Sequence, residues 1–553
     1  MPVITYFYIF IATLTISTIL IPPISHLAVQ MGGIDKPDER KIHSIETPRL
    51  GGVAIFCAVL FSIIFFTDVD KQVRAFLAGA VIIFLTGLID DLVGISPRQK
   101  LVGEIAATTV ALLMSSLSIT SLGNPLGIGE IALGAAAVPF TIFAIVGVMN
   151  AINLIDGLDG LAGGVTSIAC LVFGMLAWKC GNSNLLLLVI ALLGAVVGFL
   201  RYNTYPARIF MGDSGSLFLG YCLGFFSVML LNSPGHHFSP VTPLILLAIP
   251  VLDTLVVMAR RKLCGRAIFS PDKTHLHHRL MDLGMGHRFS VLMVYGLSYM
   301  MAFSALVLYR FTDSVQFVFL IMFSLLLYTG LRYAACSKFL GQTPIFRENR
   351  SFRLTATYRR LVHQSQGLLV SIKYLIICQL LLVVFVNPVY PLQLIWGGAA
   401  LVTAIIFLLL FGSTWGDSIL QAVIYLSGAL SVFILDNYGR GAELYGIDLV
   451  WASHLLFLFL SVAVTLKIVI RKRAGQLLNS PMEYLILFVV LTIPLLPTEL
   501  TRNFSLMGVA AKSMIMFVGY KLILIRNAKQ NRKILFATMT GLIALLIRYA
   551  TSL

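Results

Sequence analysis

Apolar runs of about 20 residues recur from one end of this sequence to the other, and each is long enough to cross a bilayer as a helix. Only 12% of the residues are charged, and the mean hydropathy is +0.93, far more apolar than in an ordinary soluble domain. The fold class predicted from this pattern is an all-α polytopic integral membrane protein in the lipid bilayer.

The predicted transmembrane helices form two sets, about eleven within residues 1–335 and about seven after them. The first set covers residues 3–27, 50–67, 74–90, 102–119, 131–149, 160–178, 184–200, 213–231, 241–259, 290–309 and 315–333. The second set covers residues 367–387, 393–411, 418–435, 449–470, 482–497, 506–524 and 534–550. The first run has no basic start and no small-residue cleavage site, so we expect a retained helix rather than a signal peptide.

The charge is strongly basic, with 40 Lys and Arg against 24 Asp and Glu, for a net +16. Such an excess would suggest nucleic acid in a soluble protein, but here the basic residues lie in short loops between spans and indicate orientation by the positive-inside rule. The loops after odd-numbered spans are polar and mostly basic, and those after even-numbered spans are short or nearly uncharged. We therefore predict an outside N-terminus, cytoplasmic odd-numbered loops and no nucleic-acid partner. Some basic residues also suit anionic lipid or substrate phosphates.

A basic stretch at residues 334–366 divides the chain, and all the polar motifs lie before it. We predict a membrane core at 1–335, a basic cytoplasmic linker at 336–366 and a C-terminal transmembrane extension at 367–553. No internal repeat is visible, although transporter-style halves would need one. The seven cysteines are scattered without CxxC spacing, so they predict neither a disulfide framework nor a thiolate metal site.

Two adjacent carboxylates, Asp90 and Asp91, end the third predicted span in the stretch 90-DDLVGISPRQK-100. A carboxylate near the bilayer is costly unless it is paired or used, which favours a functional role. Neighbouring carboxylates suit divalent-metal or base chemistry, because their repulsion raises the pKa of one of them. The alternative is an interfacial pair at a helix end, solvated by water.

The stretch 150-NAINLIDGLDGLAGG-164 carries amides and carboxylates at every third position: Asn150, Asn153, Asp156 and Asp159. In a helix, each of these residues would be rotated about the helix axis by about 60° from the one before it. These side chains therefore cannot share one face of a straight helix. Gly157 and Gly160 suggest that the backbone breaks there and turns the side chains into a pocket. A calcium loop is excluded, because a leucine occupies its third position and no glutamate closes it. The remaining alternative is an ordinary polar loop.

In 203-NTYPARIFMGDSGSLFLG-220, Asp213 precedes a helix whose first turn is rich in small residues. Free amides and the positive end of the helix dipole would point at whatever Asp213 holds, and a Mg²⁺-bridged phosphate fits that place. A simple N-cap by Asp213 is the alternative, but it does not account for Asn203. A protease reading of GDSGS is poor, because the segment opens a membrane span.

The most basic cytoplasmic loop is 265-GRAIFSPDKTHLHHRL-280. Its histidines lack the i, i+4 spacing and third ligand of a helical zinc site, and no cysteine stands at ligand distance. Arginine binds phosphate with two parallel hydrogen bonds, which favours an anion clamp instead. The side chains of that clamp are Arg266, Lys273, His275, His277, His278 and Arg279. A further basic segment, 35-DKPDERKIHSIETPRLGG-52, precedes the second span and is also interpretable as a topogenic signal alone.

These five polar motifs all fall on cytoplasmic loops or span ends of one predicted topology. Together they predict an active site at the membrane surface with acids, amides, a metal position and cations. Such a site suits phosphates carried both on a soluble donor and on a lipid.

The motifs DKPDERKIH with PRLGG, DD followed by PRQKL, NAINLIDGLDGLAGG, NTYPARIFMGDSGSL and PDKTHLHHRL, in that order, resemble the polyprenyl-phosphate N-acetylhexosamine-1-phosphate transferases. The resemblance covers about residues 1–335, and the HLHH spelling is similar to the branch that initiates O-antigen, enterobacterial common antigen and teichoic acid synthesis. It implies transfer of a HexNAc-1-phosphate, by default GlcNAc-1-phosphate, from a UDP-sugar to undecaprenyl phosphate with release of UMP, and a need for Mg²⁺ or Mn²⁺. It also implies a bacterial inner membrane location, an active site facing the cytoplasm and a possible homodimer.

The resemblance implies roles for individual residues. Asp90 and Asp91 match an aspartate pair that deprotonates or positions the lipid phosphate, Lys100 a cation near it, and Asp213 a metal ligand. The nucleotide and metal surroundings match Asn153, Asp156, Asp159, Asn203 and Phe210, the last placed to stack on uracil. The donor diphosphate and sugar match Arg266, His275, His277 and His278.

Several alternatives stay open from the sequence. The reaction could be a direct displacement at the β-phosphorus or proceed through an aspartyl-phosphate. The donor could be another UDP-HexNAc, or the protein could be a phospho-MurNAc-pentapeptide transferase of peptidoglycan synthesis. A lipid-linked-sugar transporter is the alternative of another class, although transporters place their charges near the bilayer midplane. The sequence leaves open what the C-terminal helices do. It also leaves open which of the three histidines contacts the ligand.

Overall fold

The computed structural model describes residues 3–35, 47–67, 69–263, 265, 275–283, 285–337, 356–386, 398–399, 401–403, 405–406, 416–439, 442–444, 447–470, 505–524, 534, 536–544 and 546–547. These residues are almost entirely helical, which confirms the all-α prediction. The strands among them are two-residue antiparallel pairs, β1 (Ile34–Asp35) with β2 (Thr47–Pro48) and β3 (Glu443–Leu444) with β4 (Ile447–Asp448).

The described residues fall into two compact units, one up to Ser337 and the other from Ala356 onward. The helices described in the first unit are α1 (Val3–Gln30), α2 (Gly51–Phe66), α3 (Lys71–Val93), α4 (Pro97–Ser115), α5 (Ala137–Ile155), α6 (Leu161–Lys179), α7 (Ser183–Asn203), α8 (Gly212–Leu231), α9 (Val241–Leu246), α10 (Ala248–Leu263), α11 (Leu276–Asp282), α12 (His287–Leu308) and α13 (Asp313–Ser337). Those of the second unit are α14 (Ala356–Leu382), α15 (Gly416–Tyr438), α16 (Leu449–Ile470) and α17 (Leu506–Leu524).

Eleven helices in the described part of the chain are long and apolar enough to cross a membrane. They cover Tyr8–Gln30, Lys71–Val93, Gly134–Ile155, Leu161–Lys179, Ser183–Asn203, Gly212–Leu231, His287–Leu308, Asp313–Tyr333, Gly367–Phe385, Leu449–Lys467 and Leu506–Ile523. A polytopic membrane protein is therefore confirmed. The predicted spans 393–411 and 482–497 lie largely or wholly outside the described residues, as does part of 534–550. The predicted domain boundaries stay predictions.

Three predicted spans of the first unit differ from simple apolar spans. The second is the short helix α2, and the fourth, α4, carries Arg98, Lys100 and Glu104. The ninth is broken at Leu247 into α9 and α10. Pro250 explains this break, because it has no backbone N–H to donate to the carbonyl of Leu246, the last residue of α9.

Helices α3 and α4 have clear end signals. The Asp70 carboxylate accepts a hydrogen bond from the Val73 N–H at 2.8 Å and caps the start of α3. At its other end α3 stops at Gly94, which has φ of 74°. The next helix begins with a capping box between Ser96 and Gln99, followed by Pro97 in the first turn. This tight turn holds the end of α3 beside the beginning of α4.

Helix α8 lies at the centre of the first unit. It packs against α2, α3 and α5, and most of its residues are buried. A Cβ at Gly52 of α2 would lie 2.2 Å from the backbone nitrogen of Gly215, and one at Gly87 of α3 would lie 2.6 Å from the carbonyl oxygen of Asp213. These glycines let two helices contact the first turn of α8 through their backbones, which fixes where Asp213 lies.

The second unit contains a buried ion pair between two of its helices. The Lys512 ammonium on α17 contacts the Asp436 carboxylate on α15, and both residues are less than a tenth exposed. The ring of Phe457 on α16 lies 5.6 Å from the ammonium. Removing one member of such a pair leaves an unpaired buried charge, whereas an apolar replacement of both is often neutral.

We expect Lys512→Met or Asp436→Leu alone to destabilise the second unit by about 3–5 kcal/mol, and the double replacement to recover most of that loss. Thermal denaturation of the detergent-solubilised protein measures this. A double variant that is as unstable as the sum of the single variants would contradict the pairing.

Candidate active site

Three charged side chains from three helices meet at one end of the first unit. The Lys100 ammonium, in the first turn of α4, lies 3.2 Å from Asp90 Oδ2 and 2.9 Å from Asp213 Oδ2. Asp90 lies in the last turn of α3, and its Oδ1 accepts a hydrogen bond from the Ile95 N–H at 2.9 Å. Asp213 stands in the first turn of α8. Lysine thus joins two carboxylates that are 123 positions apart in the sequence.

Asp91 has a different environment from its neighbour Asp90. Its carboxylate is buried and accepts hydrogen bonds from the backbone N–H groups of Asp213, at 2.8 Å, and Ser214, at 2.9 Å. A carboxylate at this position caps the helix and interacts favourably with its dipole. The sequence predicted that the amides at the start of α8 would face a ligand held by Asp213. For these two amides that prediction is wrong, because Asp91 occupies them.

The end of α5 contributes amides to the same cluster. The Asn153 Nδ2 group donates to Asp213 Oδ1 at 2.6 Å and to Ser216 Oγ at 2.8 Å. One turn earlier, Asn150 Nδ2 donates to the buried carboxylate of Glu104 on α4 at 2.7 Å. Asn153 therefore holds the Asp213 carboxylate in place, and Asn150 links α5 to α4.

The backbone breaks between α5 and α6, as the glycines predicted. Helix α5 ends at Ile155 and α6 begins at Leu161, and Gly160 has φ of 80°, which favours glycine. Asp156 lies in this break. Burial and then the nearby charges of Asp213, Asp159 and Asp91 raise its pKa to about 7. Burial and three neighbouring carboxylates therefore both disfavour ionisation of Asp156.

Asp159 and Asn203 hold the loops of the site together. Asp159 Oδ2 accepts the Ala207 N–H at 2.9 Å. The buried Asn203 accepts the Gly160 N–H at 3.0 Å and donates to the Ile209 carbonyl at 2.9 Å. Both are placed to order the 156–160 and 204–211 loops, whatever else they contact.

Phe210 is anchored through its backbone. Its N–H donates to the Pro48 carbonyl at 2.7 Å, and its carbonyl accepts the Gly51 N–H at 2.9 Å. The side chain is half-buried. The stacking of this ring on uracil stays a prediction.

The three histidines occupy different environments. His275 and His277 are almost completely buried, whereas His278 is half-buried. The His277 ring packs against the 156–160 loop, since a Cβ at Gly157 would lie 2.5 Å from its Nε2. Arg266, like Lys273, lies outside the described residues.

Burial and then the neighbouring histidines lower the pKa of His277 to about 3. Its ring is therefore neutral at physiological pH. It can contribute a hydrogen bond to a ligand, but not a positive charge.

A divalent metal is compatible with the carboxylates of the site, although the described residues contain no group of three or more His, Cys, Asp or Glu side chains arranged to hold one. Mg²⁺ typically takes one or two carboxylates and completes its shell with waters and substrate phosphates. Asp213 and Asp156, with the amide oxygen of Asn153, offer the hard oxygen ligands that such an ion prefers.

Sequence reasoning missed four residues that shape the site: Glu104, Asp253, His287 and Tyr295. The Tyr295 hydroxyl donates to the Gly160 carbonyl at 2.6 Å, and His287 Nε2 accepts the Asp159 N–H at 3.2 Å. Glu104 and Asp253 are carboxylates inside largely apolar helices, a signal that by itself favours function. The tyrosine and the histidine offered no such signal, because their partners lie more than a hundred residues away.

Known proteins resemble this chain over about half of its length. The profile described as glycosyl transferase family 4 matches residues 73–231, from α3 to α8. A Bacillus subtilis protein named probable undecaprenyl-phosphate N-acetylglucosaminyl 1-phosphate transferase is 37% identical over 302 residues, which cover 54% of this chain and 84% of that protein.

Two further relatives are named as transferases of the same type. The decaprenyl-phosphate N-acetylglucosaminephosphotransferase of Mycobacterium tuberculosis is 35% identical over 304 residues, covering 49% of this chain and 75% of the relative. The undecaprenyl-phosphate alpha-N-acetylglucosaminyl 1-phosphate transferase of Yersinia pestis is 28% identical over 316 residues, covering 56% of this chain and 86% of the relative. With this similarity, and with the family profile spanning the helices that carry Asp90, Asp91 and Asp213, the chain belongs to glycosyl transferase family 4, among the relatives of the polyprenyl-phosphate N-acetylglucosaminyl 1-phosphate transferases.

Proposed function

We propose that this protein transfers N-acetylglucosamine 1-phosphate from UDP-N-acetylglucosamine to a polyprenyl phosphate, most simply undecaprenyl phosphate, and releases UMP. The names of its relatives support the reaction class. The observation that carries the proposal is the junction of Asp90, Lys100 and Asp213. It lies where α3 ends and where α4 and α8 begin, and helix ends of this kind meet the headgroup region in which a lipid phosphate resides.

The proposed step is an attack by an oxygen of the acceptor phosphate on the β-phosphorus of the donor. A new phosphorus–oxygen bond forms while the bond from the β-phosphorus to the bridging oxygen breaks, and UMP leaves with that electron pair. The Lys100 ammonium can attract the acceptor phosphate and hold it in line, since positioning and charge stabilisation supply most of the catalysis of phosphoryl transfer.

A direct displacement fits the carboxylates better than an aspartyl-phosphate route. Both oxygens of Asp91 accept backbone N–H groups, and those of Asp90 accept the Ile95 N–H and contact Lys100. Hydrogen bonds and ion pairs to a carboxylate oxygen weaken it as a nucleophile toward phosphorus. Asp90 is better suited to orient Lys100.

We propose magnesium as the metal, held by Asp213 with Asp156. When bound, it would neutralise the donor diphosphate and the leaving UMP. The carboxylates of Asp213, Asp159 and Asp91, which together with burial raise the pKa of Asp156, support this assignment, because an added cation stabilises neighbouring carboxylates as anions.

The proposal predicts which donors are used. Purified protein given undecaprenyl phosphate, Mg²⁺ and radiolabelled UDP-sugars should move label into the lipid fraction fastest from UDP-GlcNAc, with one UMP released per sugar phosphate. UDP-GalNAc and UDP-MurNAc-pentapeptide complete the panel, and EDTA should stop the transfer. Absence of transfer from every donor would contradict the enzyme proposal.

The same assay tests the proposed orientation, with the site in the cytoplasm at the bacterial inner membrane. A UDP-sugar does not cross a sealed bilayer, so inside-out vesicles should transfer label and right-side-out vesicles should transfer it only after permeabilisation. Equal rates in both sealed preparations would contradict a cytoplasmic site.

The two neighbouring aspartates should behave differently when each is changed to asparagine. Asp91→Asn removes the charge that holds two backbone N–H groups at the start of α8, where each charge-assisted bond contributes about 1.5–3 kcal/mol. We expect a lower thermal denaturation midpoint together with lower activity. Asp90→Asn should lower transfer strongly and change the midpoint little. Identical midpoints for the wild type and Asp91→Asn would contradict the capping role.

A further inference from the structure

A buried aspartate in the middle of α10 has no part in the chemistry described so far. Asp253 is 3% exposed and lies in the helix Ala248–Leu263. Its Oδ2 lies 2.9 Å from Nδ1 of His275, and its Oδ1 accepts the Leu276 N–H at 2.8 Å. One carboxylate thus holds both the side chain and the following backbone amide at the start of α11.

This contact settles the tautomer of the first histidine. A carboxylate only accepts hydrogen bonds, so Nδ1 of His275 carries the hydrogen in the pair. A histidine with one ring nitrogen fixed in this way is held in one ring orientation.

The ring of His275 lies close to the other histidines of residues 275–278, which we call the histidine segment. The rings of His275 and His277 are nearly parallel, with centroids 5.9 Å apart, and those of His277 and His278 are 4.3 Å apart. His277 is 2% exposed and packs on Gly157, which stands between Asp156 and Asp159 in the sequence. Its Nδ1 has no hydrogen-bond partner in the described part of the chain, and a buried polar atom of this kind favours an approaching ligand or water.

We propose that Asp253 is a positioning residue for the donor substrate: it anchors His275 and thereby holds the histidine segment against the 156–160 loop. This inference rests on the proposed function, because the substrate it positions is the diphosphate and sugar of a UDP-HexNAc. Asp253 itself does not touch the reacting atoms. The acceptor phosphate, which belongs beside Lys100, should not depend on it.

The anchoring is tested without any activity. Trypsin cleaves after arginine, and Arg279 lies in α11, directly after the three histidines. Because a charge-assisted hydrogen bond is lost, Asp253→Asn should raise the rate of cleavage in this stretch about tenfold. His275→Ala should do the same. An unchanged rate in both variants overturns the anchoring.

The role in donor binding is tested by steady-state kinetics on the full-length protein. Asp253→Asn should raise KM for UDP-GlcNAc about tenfold, with KM for undecaprenyl phosphate unchanged. The effect should be lost in a His275→Ala background, because the aspartate acts through that ring. Additive effects, or equal changes in both KM values, overturn the proposal.

Asp313→Asn is the matched control. Asp313 also accepts a backbone N–H, that of Asn124, at 2.6 Å, but it begins α13 at the opposite predicted membrane face. The Asp313→Asn variant should have the tryptic cleavage rate of the wild type and the same KM values for UDP-GlcNAc and undecaprenyl phosphate. If the wild type transfers no sugar at all, the proposed function fails, while the tryptic assay still decides whether Asp253 anchors the histidine segment.

Discussion

The ammonium of Lys100 is the contact on which the arrangement of this site depends. It lies between a carboxylate near the C-terminus of α3 and another near the N-terminus of α8. Two carboxylates brought this close repel each other, and a lysine between them offsets that repulsion. A phosphate that approaches would compete for the same ammonium, so the cluster is built to exchange one anionic partner for another.

Around this junction, the chain uses backbone contacts to hold its loops. Gly52 and Gly87 bring α2 and α3 against the first turn of α8, and Asp91 caps that turn from α3. Asn203 and Tyr295 fasten Gly160 from two other helices. The acids and amides therefore stand on loops whose geometry is fixed by the surrounding helix bundle, as preorganised charge stabilisation requires.

Sequence patterns predicted much of this molecule for clear physical reasons. Apolar length located eight of the eleven predicted spans of the first unit as helices long and apolar enough to cross a membrane, because a helix must match the thickness of the bilayer. The glycines at 157 and 160 predicted the break that separates α5 from α6. Periodicity could not show that Asp91 would cap α8, since this contact joins positions more than a hundred residues apart. The same limit hid Asp253, although its charge within an apolar helix was visible.

The most direct test of the account is the transfer rate of Lys100→Met beside Lys100→Arg and Lys71→Met. Lys71, at the other end of α3, contacts only the Ser116 hydroxyl among the described partners, so it serves as the control. With saturating UDP-GlcNAc and Mg²⁺, Lys100→Met should lose about a hundredfold or more in kcat, or roughly 2.7 kcal/mol of transition-state stabilisation. Lys100→Arg should retain part of the activity and Lys71→Met all of it. Wild-type turnover in Lys100→Met would contradict the account.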